Sequence, residues 1–426
     1  MKTRSLFHLF FLLNNFTSIL YAQQNLKKNI PNKNIVNFNL PQNAIPFEFV
    51  HQIYLKCKFD NKTNAQLIFD TKADGLRMDS SFLKENNIKT FDGTETIYQD
   101  KVYQPGAGGK MLVRFCKNVI INLDTIVFNK DLVPVLPLNK LLGPALGHRA
   151  DGIIGSDLFD NYIMEINFEH YYIILHQFEL IDKQLFSGYT KMPYKDGLKI
   201  KIGLNDSLYI EENFGIDIGM AATLAINSNT IKKNNLTNNI SPLSFYKSNR
   251  DIGGGTEEYN YRANYIKIDT FIFNKPIISL DKNVKKTIGD TINASLGKWK
   301  EAGLVGNGLF SRFNIIMDFK HNFIYLKPNG NFKKPFGYTT TGFFVDDRRT
   351  DLNAYEISFI LQNSPANFEG LRVGDLITEI NGKSAKNISF VNMIEILQNT
   401  TQTIVRLKLK RNNKIINITI KRRKFL

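Results

Sequence analysis

Short runs of Ile, Val, Phe and Tyr recur along most of the chain, and clusters of Asn, Asp and Gly separate them. Leu112 to Leu123 and Tyr265 to Phe273 are examples. Short apolar runs bounded by turn-forming residues are the mark of β-strands. Sustained helical spacing is missing until Phe390 to Leu397, which is followed by two further strand-like runs, Thr403 to Lys410 and Lys414 to Lys421. The pattern predicts a mostly β protein whose character changes after Pro335.

The pattern also repeats. Leu158 to Leu175 aligns without gaps on Leu309 to Leu326, an offset of 151 (309 − 158), sharing Leu, Phe, a later Phe, His, Ile and the final Leu. Upstream, Asp151-Gly152-Ile153-Ile154-Gly155 faces Ala302-Gly303-Leu304-Val305-Gly306 at the same offset. Earlier still, Leu67-Ile68-Phe69-Asp70-Thr71-Lys72-Ala73 matches Phe214-Gly215-Ile216-Asp217-Ile218-Gly219-Met220, offset by 147 (217 − 70). A glycine cluster, Gly106 to Gly109 and then Gly253 to Gly255, lies between the landmarks of each half. Landmarks in one order at nearly one offset imply two copies of a domain of about 145 residues. Two such lobes are expected to pack face to face around a cleft.

In each copy an apolar strand ends in Asp, and two apolar residues followed by Gly come later. This resembles the pepsin-like and retroviral-type aspartic peptidases over about residues 46 to 330, and in particular the bacterial members that append a PDZ domain. The resemblance implies Asp70 and Asp217 as a catalytic dyad. Like charges so close cannot both ionise cheaply, so by this resemblance the pair shares a proton, as the paired carboxyl groups of aspartic proteases do. One carboxylate then activates water and the other donates a proton. The resemblance further implies Gly155 and Gly306 as supports of the Asp loops, and a flap over the cleft from Gly106, Gly108 and Gly109, with a plain hairpin at the second cluster. An ordinary hairpin is the alternative reading of the first. Neither cluster has the surroundings of a phosphate loop.

The chain departs from the family pattern once in each loop. Lys72 stands where the family has Gly, after Thr71, and Ile218 stands before Gly219 where the family has Thr or Ser. An inward ammonium at Lys72 favours two ionised carboxylates and works against the shared proton. An outward one leaves the chemistry intact. Ile218 removes a bracing hydroxyl.

After Pro335, Ser364-Pro365-Ala366, Glu369-Gly370-Leu371, Val373-Gly374-Asp375-Leu376-Ile377 and Ile380-Asn381-Gly382 resemble a bacterial protease-associated PDZ domain. By that resemblance Gly342, Phe343, Phe344 and Val345 form a loop whose backbone N–H groups hold a peptide C-terminus. The other reading of this module is a cap that docks on the lobes and binds nothing.

Composition adds bounds. The 426 residues carry a net charge of +16, but Lys and Arg are spread along the chain and no nucleic-acid motif accompanies them, so nucleic acid is not an expected partner. Lys2 and Arg4, the apolar run Leu6 to Leu13 and the small Ala22 read as an export signal. No later run approaches the roughly 20 apolar residues of a membrane span. A periplasmic or secreted protein is expected. Cys57 and Cys116 are either a disulfide or two separate buried thiols. No metal or other cofactor is expected.

The expected division is a signal over 1–22, a linker over 23–45, peptidase lobes over 46–190 and 191–332, and a PDZ domain over 333–426. The expected fold is mostly β, a two-lobed pepsin-like aspartic peptidase followed by an α+β PDZ domain. The expected activity is endopeptidase cleavage of a peptide or protein substrate, with a C-terminal peptide as the PDZ ligand. Its rival is a catalytically impaired protein that binds peptides without cleaving them.

Overall fold

The computed structural model describes residues 40–423 except 74, 107–108, 125, 156–159, 179–182, 241–243, 252–253 and 282–300. The expected signal and residues 23–39 of the expected linker lie outside the described residues.

The first part of the chain forms β1 (Ile45–Val50), β2 (Gln52–Phe59), β3 (Thr63–Asp70), β4 (Leu76–Asp79), β5 (Tyr103–Gly106), β6 (Gly109–Leu112), β7 (Arg114–Leu123), β8 (Ile126–Leu136), β9 (Gly152–Gly155), β10 (Tyr162–Asn167) and β11 (Tyr172–Gln177). The middle forms β12 (Thr190–Pro193), β13 (Leu198–Gly203), β14 (Tyr209–Ile216), β15 (Leu224–Ile226), β16 (Ser244–Asp251), β17 (Gly254–Arg262), β18 (Tyr265–Ile268), β19 (Phe271–Asn274), β20 (Ile277–Asp281), β21 (Gly303–Val305), β22 (Phe313–Asp318) and β23 (Phe323–Pro328). The end forms β24 (Phe343–Arg348), β25 (Ala354–Ile360), β26 (Leu376–Ile380), β27 (Lys383–Ser384), β28 (Ile404–Arg411) and β29 (Lys414–Lys421). The protein is mostly β, as the short apolar runs between turn residues predict.

The strand pairings of the first part recur in the middle. β3 runs parallel to β9, β9 antiparallel to β4, and β4 parallel to the end of β8. β14, β21, β15 and β20 repeat that order with the same directions. β2 flanks β3 and also meets β7, just as β13 flanks β14 and meets β18. One difference is that β8 is a single strand, whereas its counterpart is divided into β19 and β20 around Lys275, whose φ is +52°. The shared His of the repeat serves a turn: the His170 amide donates to Asn167 Oδ1 at 2.8 Å and the His321 amide to Asp318 Oδ1 at 3.1 Å.

The two halves are joined through one run of strands, ordered β12-β23-β22-β10-β11-β1. β10 and β22 pair antiparallel, with Met164 opposite Met317, Glu165 opposite Ile316 and Ile166 opposite Ile315. Glu165 and Ile316 are equivalent under the offset of 151 (316 − 165), so a local twofold axis passes through that pair. The outer strands obey the same symmetry: Ile45 of β1 faces Ile173, and Met192 of β12 faces Ile324. A single apolar cluster then runs through both halves, including Phe69, Phe168, Phe214, Phe313 and Ile315. Each such side chain, fully buried, contributes about 1.5–3 kcal/mol.

The C-terminal module has its own sheet, β24-β25-β26-β28-β29, with β27 beside β26. Its helix, Phe390–Gln398, starts at Ser389, whose Oγ accepts the Asn392 amide at 3.2 Å. Phe390, Met393, Ile394 and Leu397 form the helix's buried stripe. The connection into this module is tied down by buried Arg312, which donates to the carbonyls of Asn331, Phe332, Lys334 and Pro335 and stacks over Phe336.

Cys57 and Cys116 are separate thiols, which decides between the two readings. Each donates to a neighbouring strand's carbonyl, Cys57 to Ala65 at 3.6 Å and Cys116 to Val133 at 3.7 Å. Burial pushes both thiols up to about 12, so neither is a nucleophile near neutral pH. Among the described residues no helix is long and apolar enough to cross a membrane.

Candidate functional site

Two strand ends build the site. Asp70 closes β3 and sits opposite Gly155 in the parallel pair with β9. Asp217 follows β14, and its amide donates to Val305 of β21 at 2.9 Å. Each Asp loop curls back against the glycine that ends the supporting strand. A Cβ on Gly155 would fall 2.2 Å from the Ala73 oxygen, and one on Gly306 would fall 2.4 Å from the Met220 oxygen. The two apolar residues before each glycine are buried in the lobes.

The local symmetry brings these ends together. Asp70 is 1% exposed and Asp217 fully buried, and the two carboxyl groups lie close enough for each to act on the other's charge. Among the described residues both Asp217 oxygens are buried without a hydrogen bond of good geometry. Asp70 does receive one, from the Lys72 amide to Oδ1 at 2.7 Å. Burial raises the pKa of Asp70, while the Lys72 amide and then the Arg77 charge oppose that rise. Burial, and then the charge of Asp70, holds Asp217 well above the usual carboxylate range.

Side chains from both halves lock the loops to each other. Thr71 Oγ1 donates to the Ile216 oxygen at 2.8 Å and accepts the Ile218 amide at 3.0 Å. Ile218 has no hydroxyl to return the grip and is fully buried instead. Its carbonyl is held by Asn307 Nδ2 at 2.5 Å, which also reaches the His51 oxygen at 3.1 Å. Gln52 Nε2 donates to the Gly219 oxygen at 2.9 Å. Gly219 itself packs against the opposite carboxylate, since a Cβ there would fall 2.5 Å from Asp70 Cγ.

Lys72 turns away from the carboxylates. Its ammonium lies over Gly215, where a Cβ would come within 2.7 Å of it, and pairs with Glu301 at 2.9 Å. Burial opposes this charge, but Tyr194, Glu301 and Asp217 outweigh it and raise the lysine pKa. Its effect on Asp217 is to lower the pKa, which burial and Asp70 exceed.

The glycine clusters differ. β5 and β6 pair only with each other, Gly106 opposite Gly109, as a separate two-stranded hairpin. Gly108 lies outside the described residues. β16 and β17 instead join the larger sheet through β20.

In the C-terminal module Gly342 has a φ of +87°, and its amide donates to Thr339 Oγ1 at 3.1 Å. Phe343, Phe344 and Val345 are all buried. Of the loop expected to hold a peptide C-terminus, the side chains of residues 343–345 therefore point into the module's core, and the Gly342 amide is taken up by Thr339.

Sequence reasoning missed Gln52, Glu301 and Asn307. Asn307 follows the repeated glycine Gly306 directly and was within reach of a closer look at the repeat; Gln52 and Glu301 sit in no motif.

Residues 356–411 match the PDZ domain family, so the chain carries a PDZ domain at its C-terminal end. Among solved structures it is similar to a PDZ domain protein from Parabacteroides distasonis ATCC 8503, at 21% identity and a TM-score of 0.19, over 20% of each chain. This chain therefore spans about a fifth of that protein (20%). No curated protein matches the chain.

Proposed function

We propose that this protein is an exported aspartic-type endopeptidase with a two-lobed pepsin-like body, whose PDZ domain engages a peptide or protein partner. The observation that carries the reading is the buried carboxyl pair, Asp70 and Asp217, brought together at the junction of two equivalent halves, where the loop of Asp217 packs at Gly219 against the Asp70 carboxyl group. Lys72, paired with Glu301, opposes a proton on Asp217 less than burial and the Asp70 charge favour it.

Asp70, braced by the Lys72 amide, is the ionised partner and acts as general base on a water molecule. The water oxygen attacks the peptide carbonyl while its proton passes to Asp70. Asp217 gives its proton to the carbonyl oxygen, forming a neutral tetrahedral diol. Proton return through the pair to the amide nitrogen then releases the amine and the new carboxyl end. The β5–β6 hairpin, free of the larger sheet, is suited to close over the substrate and exclude water.

The test is initial cleavage rate on a mixed peptide pool across pH 3 to 7 (a practical window of about four units around the raised carboxyl groups). Wild type is expected to give a bell-shaped profile, and Asp217→Asn a loss of about 10²–10⁴-fold. Equal rates from the two proteins would sink the reading, and binding without cleavage would favour a peptide-capturing protein.

A further inference from the structure

In the C-terminal module β24 is the edge strand, and the helix Phe390–Gln398 lies alongside it. Strand addition in a groove of this kind places a peptide between those two elements. That place is filled by the protein itself. The short helix Gly143–Leu146 packs against β24. Gly147, which ends it, lies against the Phe390 ring so closely that a Cβ would fall 2.0 Å from Phe390 Cγ and 2.3 Å from Cδ1. Gly147 also has a φ of +60°, and its amide closes the turn onto the Gly143 oxygen at 2.9 Å. Phe390 is buried, and with Phe343 and Val345 it belongs to the module's own apolar cluster.

The corner has a position in the chain that matters. It connects β8, which ends at Leu136, to β9, which begins at Gly152 and pairs along its length with β3 up to Asp70. Leu142, Leu146 and Ala150 anchor it in the same apolar cluster as Ile153 of β9.

We propose that the groove between β24 and the helix Phe390–Gln398 is an internal docking site for the Gly143–Gly147 corner, and that an apolar-ended peptide binds by displacing it. Peptide binding then loosens the segment leading into the strand that supports Asp70. The inference rests on the PDZ domain taking peptides, but not on hydrolysis. In the docked protein only the undocked fraction binds, so apparent affinity is lowered by that fraction.

The probe is a pool of fluorescein-labelled hexapeptides with free carboxyl ends in Val, Leu or Phe, added to the full chain. Gly147→Ala forces the corner off Phe390 and is expected to tighten binding at least about tenfold. A second measurement needs no variant: saturating peptide should speed hydrogen exchange at residues 143–147 of the wild-type chain. Both are repeated in the Asp217→Asn background, where loss of cleavage leaves the binding result readable. Equal affinity in wild type and Gly147→Ala, binding without faster exchange at 143–147, or no binding to either protein would each overturn the proposal.

Discussion

The two aspartate loops sit on identical strand pairings yet are braced in unlike ways. The first carries Thr71, whose hydroxyl crosses to both sides of Asp217, and Lys72, whose amide serves Asp70 while its ammonium leaves for Glu301. The second carries Ile218, which packs instead of bonding, and Gly219, which yields room to the opposite carboxylate. Its carbonyls are held from outside, by Asn307 and Gln52. The difference teaches that the repeat conserves where the carboxyl groups go, while the fixing of the loops is shared unevenly. One loop grips and the other is gripped.

The comparison is broken most severely at the glycine. Gly219→Ala places a methyl against Asp70 and is expected to lower cleavage by about 100-fold through misplaced carboxyl groups. Lys72→Gly at the equivalent position should leave cleavage within about fivefold, because its ammonium pairs with Glu301 and not with an Asp70 or Asp217 oxygen. Parallel rate measurements on the two variants check the contrast, and equal losses would abolish it.

Next in size is the grip. Thr71→Val keeps the shape but removes both cross-loop bonds, with an expected loss of about 1–3 kcal/mol in urea unfolding. Ile218→Thr is expected to cost about 1–3 kcal/mol by the same measurement, since it places a hydroxyl where Ile218 packs fully buried.

The pH dependence of stability is a smaller effect with a definite sign. Both carboxyl pKa values are raised above the ordinary 3.8, Asp217 the more. The folded protein therefore holds protons that the unfolded chain has released, and the pair's contribution is present below 3.8 and lost as pH rises through the raised values. Melting temperature should fall with rising pH across that window, and Asp217→Asn should flatten the slope.

The smallest shift belongs to Lys72→Met. Removing a cation that lowers the Asp217 pKa moves the alkaline limb of the rate profile to higher pH, by a fraction of a unit. A shift toward lower pH would show that Lys72 does not act on Asp217.

Much of this arrangement is legible in the sequence because it repeats. The offsets of 147 and 151 locate Asp70, Asp217, Gly155 and Gly306, and the strands around them follow from short apolar runs bounded by turn residues. Ile45-Pro46-Phe47 and Met192-Pro193-Tyr194 also stand 147 apart (192 − 45) and mark the two outer strands, a signal available but easily passed over. What the sequence hides is pairing across long separations. Nothing near Lys72 names Glu301, 229 residues away, and nothing near Gln52 names Gly219, 167 away. The direction of one lysine is set by where a partner falls in space, and no local pattern encodes it. The filled groove is hidden for the same reason, since a Gly-Pro corner in one domain gives no hint of a phenylalanine ring in another.

The β10–β22 pair has one more implication. Met164 and Ile166 meet Met317 and Ile315, so the seam is written in nearly the same letters on both sides. A fragment ending before β12 would present β10 as an open edge that another copy of the same fragment could complete. Cutting the chain at its midpoint should therefore yield a self-associating half rather than an inert one, with each molecule standing in for the other's missing neighbour.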